Sequence, residues 1–78
     1  MPTVLRIGPY RFYFYSHEPN ESPPVHVDRD RCSAKFWLQK VTLADNVGFA
    51  KNELNQLHNI VREHQQYLLD QWNEYFVT

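Results

Sequence analysis

The dipeptide Gly8-Pro9 limits the fold of this chain more than any other feature, because it separates two runs of alternating side chains. Glycine readily adopts the positive φ that the first position of a type II′ turn requires, and proline tolerates the second position. The sequence therefore predicts an antiparallel hairpin with strands over residues 3–7 and 10–16.

A second hairpin is predicted where alternating runs flank the turn-like sequence DRDR. Its strands cover residues 25–29 and 33–39. The segment HEPNESPP between the two hairpins contains three prolines and no periodic pattern, which is typical of a loop. The first half of the chain thus predicts a four-stranded antiparallel sheet.

The second half is predicted to be a helix over residues 50–76, since apolar residues recur there at helical spacing. A straight helix of that length would be about 40 Å long, whereas the strands would span about 23 Å, so half of it would overhang the sheet. We expect either a bend near residues 64–66 or packing of the helix end on a second copy, and we favour the second. The homodimer interface would then contain Leu68, Leu69, Trp72 and Phe76.

Strand alternation separates the predicted sheet into an apolar face and a polar, aromatic face. The expected fold class is therefore α+β, a single domain over residues 1–78 whose C-terminal helix covers the apolar face. The side chains expected on the apolar face are Leu5, Ile7, Tyr10, Phe12, Phe14, Val25, Val27, Ala34, Phe36 and Leu38.

The polar, aromatic face carries a like-charge pair, because the predicted register places Arg6 opposite Arg11. The same register places Val4 opposite Tyr13. Two cations directly opposite each other destabilise a hairpin unless an anion lies between them. Asp28 or an acidic residue of a partner chain would supply that anion, and so would a phosphate.

Aromatic rings interleaved with arginine and lysine on an open sheet can stack bases and hold a phosphate backbone. The candidate nucleic-acid-binding residues are Arg6, Arg11, Tyr13, Tyr15, Lys35 and Trp37.

His26 is a candidate general acid or base on the same face, since an imidazole gains or loses a proton near neutral pH. Glu18 and Lys35 are the candidate flanking groups, and Lys35 would stabilise developing negative charge. A structural histidine that only donates and accepts hydrogen bonds is the alternative. We expect no metal and no cofactor, because the histidines and Cys32 lack a metal-binding spacing.

The chain has 78 residues and one cysteine, Cys32, so it has room for one small domain and no internal disulfide. No segment approaches the roughly 20 apolar residues that cross a bilayer, and no signal peptide is evident. These observations predict a cytoplasmic protein that does not enter a membrane.

A family resemblance is carried by the segments MPTVLRIGPYRFYFYSHE, PPVHV, AKFWL, LADNVGF, ELNQL and LLDQWNEYF. Over nearly its whole length the chain resembles the small bacterial family known as domain of unknown function 4160. The resemblance implies a short cytoplasmic protein that is often encoded beside another small protein. For some members that arrangement has been proposed to be toxin–antitoxin-like, and no established activity comes with it.

Two positions depart from the family pattern. Pro24 replaces the first histidine of the family motif P-H-x-H-V, which disfavours a two-histidine or metal mechanism and leaves His26 to act alone. Ala50 stands where the family has a serine three residues before Glu53. Loss of that capping serine costs about 1 kcal/mol, and Asn52 is an alternative start of the helix.

Three functions are therefore compatible with the sequence. The first is one component of a toxin–antitoxin-like pair, which binds RNA or a partner protein, such as the small protein encoded nearby, through the basic aromatic face. The second is a metal-independent ribonuclease that uses His26. The third is a protein-interaction module without catalytic activity.

Overall fold

The computed structural model describes residues 3–14 and 23–76 of the chain. They form one five-stranded antiparallel sheet, with the strands in sequence order, and two helices. The elements are β1 (Thr3–Ile7), β2 (Tyr10–Tyr13), β3 (Pro24–Arg29), β4 (Cys32–Trp37), β5 (Thr42–Val47), α1 (Lys51–Glu63) and α2 (Gln65–Phe76). The α+β class is confirmed, but the sheet has five strands instead of the predicted four.

The first hairpin has the predicted turn and most of the predicted register. Gly8 has a φ of 56°, and Arg6 pairs with Arg11. Tyr13 lies opposite Thr3 instead of Val4, because the register shifts between Thr3 and Leu5. Such a shift redirects a side chain across the sheet. Here it accompanies the burial of Val4, which is 8% exposed.

The prediction missed β5, and it extended β4 too far. Residues 38–41 form a turn instead of the end of a strand, and Thr42–Val47 then pairs with β4 along the edge of the sheet. All six residues of β5 are exposed. A strand without a buried face has no alternating pattern, and alanine, aspartate and asparagine are depleted in strands.

Tertiary contacts hold the turn before β5 in place. The side-chain amide of Gln65 donates to the carbonyls of Leu38 and Gln39 at 2.7 and 3.0 Å. Val41 is 7% exposed and has a φ of 49°, a strained value for a β-branched residue. Burial of an apolar side chain of this size stabilises by about 1.5–3 kcal/mol, which offsets a left-handed cost of about 1–2 kcal/mol.

The predicted helix over residues 50–76 is two helices that meet at His64, so the bend near residues 64–66, the alternative that we did not favour, is confirmed. The His64 amide donates to the Ile60 carbonyl at 3.1 Å, and its carbonyl accepts the Leu68 amide at 2.9 Å, so α1 ends as α2 begins. Ala50 precedes α1 and makes no side-chain cap, as the departure from the family pattern predicts. No glycine or proline causes the break, which instead allows both helices to pack on one small sheet.

The expectation that the end of the helix packs on a second copy is corrected by the burial of α2. Leu68 is 0% exposed and Trp72 is 5% exposed, and both belong to the core of the same chain. Leu69 and Phe76 are partly buried against that core. These four residues therefore do not form the exposed homodimer surface that we expected.

The core lies between the helices and the apolar face of the sheet. Its fully buried side chains include Phe12 and Phe36 from the strands and Leu57 from α1. Each such burial stabilises by about 1.5–3 kcal/mol. The helices thus cover the predicted apolar face, and both lie on the side of the sheet opposite Tyr13 and Trp37.

An ion pair missed by the sequence analysis fixes α1 against the sheet. Glu53, in the first turn of α1, accepts from the Arg29 guanidinium at 2.6 and 2.8 Å and from the Tyr10 hydroxyl at 2.8 Å. Arg29 also lies over the ring of Phe49, 5.6 Å from its centroid. The paired arginine lowers the pKa of Glu53, so the carboxylate stays charged.

Candidate functional site

We call the sheet surface that faces away from the two helices the open face. Alternation along the five strands assigns its residues, and cross-strand pairing places them in rows. The open face carries Arg6, Arg11, Tyr13, His26, Asp28, Ser33, Lys35, Trp37, Thr42, Asp45 and Val47. It is a mixture of cations, anions and aromatic rings, and most of these side chains are only partly exposed.

The like-charge pair has one acidic neighbour on the open face, Asp28, which forms no ion pair with either arginine among the described residues. Arg11 pairs with Arg6 on one side and with Asp28 on the other. The Arg11 Nε also donates to the Thr3 hydroxyl at 2.8 Å. Arg6 is exposed and makes no hydrogen bond or ion pair with any described residue. Arg11 therefore has a hydrogen-bond acceptor and a nearby acidic residue within the chain, whereas Arg6 is available to an external anion.

Tyr13 is the centre of a stack on β2 and β3. The Arg11 guanidinium carbon lies 4.5 Å from the ring centroid, and the His26 ring lies at 5.3 Å with an interplanar angle of 23°. The Tyr13 hydroxyl donates to the Asp28 carboxylate at 3.1 Å. Burial, and then the negative charge of Asp28, raise the pKa of Tyr13. The hydroxyl therefore stays protonated and keeps its hydrogen bond to Asp28. The Tyr13 ring is thus held by Arg11 on β2 and by His26 and Asp28 on β3.

His26 and Lys35 are brought together as the sequence analysis expected. They are directly paired across β3 and β4. Burial lowers the pKa of His26, and the Lys35 charge lowers it further, whereas Asp28 raises it. The imidazole is therefore neutral near pH 7, which suits a proton acceptor better than a proton donor. Glu18, the third candidate catalytic residue, lies outside the described residues.

Trp37 is the last residue of β4 and lies on the open face. The Lys35 ammonium is 4.6 Å from the centroid of its ring, within the range of a cation–π contact. Tyr15, another of the candidate nucleic-acid-binding residues, lies outside the described residues. The structure describes five of the six candidate nucleic-acid-binding residues, and all five share the open face. They are Arg6, Arg11, Tyr13, Lys35 and Trp37.

The missed strand β5 changes the chemistry of the face. It places Asp45 opposite Lys35 and Val47 opposite Ser33. Both are exposed, and Val47 retains 59% of its accessible surface. The only sequence signal for this strand is the turn-forming Gly48, whose φ is 94°. With Asp45 added, the face is less basic than the sequence analysis predicted, and it carries cations on β1, β2 and β4 and anions on β3 and β5.

Within residues 3–14 and 23–76, no group of three or more histidine, cysteine, aspartate or glutamate side chains could hold a metal ion. No helix in the same ranges is long and apolar enough to cross a membrane.

Comparison with known proteins gives one match. Residues 10–73 match the family model described as "Domain of unknown function (DUF4160)". That range includes β2 to β5, all of α1, and α2 as far as Asn73. The searches of curated proteins and of solved structures gave no match.

Proposed function

The chain belongs to the DUF4160 family, and we propose that it is a binding protein whose open face recognises a partner protein. In this proposal it acts as one component of a toxin–antitoxin-like pair, with a small protein encoded nearby as its partner. One observation carries the proposal. Tyr13, Trp37 and Arg11, the residue types that contribute most to protein interfaces, are partly exposed on a surface that neither helix covers.

The contacts among these side chains support a protein partner in preference to a nucleic acid. Tyr13 already contacts the Arg11 guanidinium and the His26 ring, and Trp37 already contacts Lys35. A base that stacked on Tyr13 would have to displace the Arg11 guanidinium or the His26 ring, and a base on the Lys35 side of Trp37 would have to displace the ammonium. Ordered rings and cations instead lower the entropy cost of forming a protein interface.

RNA is the second candidate partner, because Arg6 is exposed beside Arg11 and has no anion of its own in the described chain. Affinity for a single-stranded RNA oligonucleotide, measured by fluorescence anisotropy at several salt concentrations, tests it. Phosphate contacts would make the affinity fall steeply with salt, and Arg6→Glu would reduce the slope. Affinity that is independent of salt would exclude this candidate.

Catalysis by His26 is the weaker alternative. General acid–base cleavage of a phosphodiester needs a proton donor as well as a proton acceptor. His26 is neutral because its pKa is lowered, and the hydroxyl of Tyr13 holds its proton because its pKa is raised. A ribonuclease that depends on His26 would lose RNA hydrolysis in His26→Gln, whereas the proposed binding protein retains its partner.

The test of the proposed function is co-purification with the protein encoded nearby, followed by titration of that protein against variants. We expect Trp37→Ala to weaken binding by at least about 30-fold, as is usual for a central aromatic anchor. Tyr75→Ala is the matched control, because Tyr75 is a 50% exposed aromatic on α2. Equal affinity of the wild type and Trp37→Ala would refute the proposal.

A further inference from the structure

Arg6 and Arg11, which we call the cationic corner, lie side by side on β1 and β2 of the open face. They are directly paired across the two strands, and two like charges in that position destabilise a hairpin. Arg6 is exposed and makes no hydrogen bond or ion pair with any described residue. The free chain therefore carries a repulsive contact on its surface that an added anion would relieve.

The two anions of the open face do not neutralise the cationic corner. Asp28 lies opposite Arg11 on β3, but its carboxylate accepts the Tyr13 hydroxyl at 3.1 Å and forms no ion pair with either arginine. Asp45 lies on β5, three strands away from Arg11. Within residues 3–14 and 23–76, no acidic side chain therefore supplies the missing anion.

We propose that the partner of the open face places the carboxylate of an aspartate or glutamate side chain between Arg6 and Arg11. This inference rests on the proposed function, since it names the chemical group that the partner protein presents to that face. A guanidinium binds a carboxylate through two parallel hydrogen bonds. A carboxylate has about four acceptor positions, so two guanidinium groups on paired strands can share it.

Arg11 is already held in place for such a contact. Its Nε donates to the Thr3 hydroxyl at 2.8 Å, and its guanidinium carbon lies 4.5 Å from the centroid of the Tyr13 ring. Its terminal nitrogens make no hydrogen bond with a described residue, so they remain as donors. A side chain that is fixed before binding loses less conformational entropy when the partner arrives.

The charges around the cationic corner favour a single anion over a chain of anions. A nucleic-acid backbone carries a phosphate at each nucleotide and is bound by several cations along its path. The next charged residue across the sheet, in the same row as the corner, is the anion Asp28. Lys35, the remaining cation of the described open face, lies opposite Asp45 and over the Trp37 ring. A backbone that continued from the corner across the strands would therefore meet an anion first, whereas a single carboxylate uses the corner alone.

The repulsion between the two arginines also predicts that Arg6 lowers the stability of the free chain. Arg6→Glu places a carboxylate opposite Arg11, and opposite charges in that position stabilise a strand pair. We therefore expect this variant to unfold at a higher urea concentration than the wild type while it binds the partner less tightly. A variant that is less stable than the wild type would contradict the repulsion on which the inference depends.

The first experiment titrates the protein encoded nearby against charge variants. We expect Arg6→Glu to raise the Kd by at least about tenfold, because a carboxylate of the partner would then face a like charge. Arg62→Glu makes the same change of charge at an exposed position on α1 and is the matched control. We expect it to leave the Kd unchanged.

The second experiment identifies the anion by crosslinking. Arg6→Lys places an amine at the cationic corner, and a carbodiimide joins an amine to a carboxylate in contact with it as an amide, with net loss of water. We expect mass spectrometry to find position 6 joined to an aspartate or glutamate of the partner protein. Reversal of that residue to lysine should restore the affinity that Arg6→Glu loses. Arg62→Lys is the matched control and should give no such product at position 62.

Four results would overturn the inference. These are an unchanged Kd in Arg6→Glu, the absence of a crosslink at position 6, a crosslink from position 6 to an acidic residue of its own chain or to a phosphate group of RNA, and a reversed partner residue that fails to restore binding. If Trp37→Ala weakens binding and Arg6→Glu does not, the proposed function stands and only the carboxylate contact fails. If Arg6→Glu weakens binding and Trp37→Ala does not, the carboxylate contact stands and the proposed function of the whole open face fails.

Discussion

At the scale of single residues, cross-strand pairing sets the protonation states on the open face. His26 lies between Tyr13 and Lys35 in one row of the sheet, and both burial and the Lys35 charge keep its pKa below the usual value. A folded-state pKa below the unfolded one means that the unfolded chain binds a proton at His26 more readily. The stability due to this group is therefore fully present above the unfolded pKa and is lost as the pH falls through the folded pKa.

We predict that the free energy of unfolding of the wild type decreases as the pH falls below about 6.5. His26→Gln removes the contribution of His26 to that decrease. A second loss below about pH 4.3 remains in both proteins, because the pKa of Glu53 is also lowered in the folded chain. Urea denaturation at a series of pH values measures both, and identical slopes near pH 6 in the two proteins would contradict the assignment.

At the scale of the elements, a single side chain on α2 stabilises the turn that leads into β5. Gln65 is the first residue of α2, and its amide donates to two carbonyls of that turn. The same turn contains the strained residue Val41. Gln65 directly follows the break at His64, so the first residue of α2 is the one that reaches the turn before β5.

We predict that Gln65→Ala lowers the free energy of unfolding by about 1–2 kcal/mol, because two carbonyls lose their donor. Gln66→Ala is the matched control. Its amide bonds to Asp70 within the exposed surface of the same helix, so we expect a change within about 0.5 kcal/mol. Urea denaturation compares them, and equal midpoints for both variants would show that the turn does not need Gln65.

The elements also show how far the sequence predicts this fold. The first hairpin was predictable because Gly8 and alternation both act locally, and the pairing of Arg6 with Arg11 followed from the same rule. The fifth strand was not, since an exposed edge strand buries no side chain and shows no period. The face that carries Tyr13 and Trp37 was therefore predicted correctly, whereas the anion Asp45 at its edge was missed.

The sequence indicates the helix break only through the length of the predicted helix relative to the sheet. A helix of 27 residues is too long for the sheet, which predicts either a bend or a second copy, and nothing local decides between them. The structure decides through Leu68 and Trp72, which are buried in the core of their own chain. Long-range packing of this kind lies beyond the reach of a periodicity argument.

At the scale of the whole molecule, the fold separates stability from recognition. The helices, the core and the ion pair between Arg29 and Glu53 lie on one side of the sheet, and the row of rings and charges lies on the other. A domain of 78 residues buries only about 60% of its unfolded surface. Covering the open face would add stability that this small core does not supply.

The two tryptophans report on the two sides of the sheet, and oxidative footprinting read out by mass spectrometry follows each separately. Trp72 is 5% exposed in the core, and Trp37 is partly exposed on the open face. We predict that Trp37 is oxidised faster than Trp72 in the dilute free chain, and that binding of the partner protein slows oxidation at Trp37 alone. Oxidation of Trp37 at the same rate with and without bound partner would contradict the claim that the open face is the binding surface.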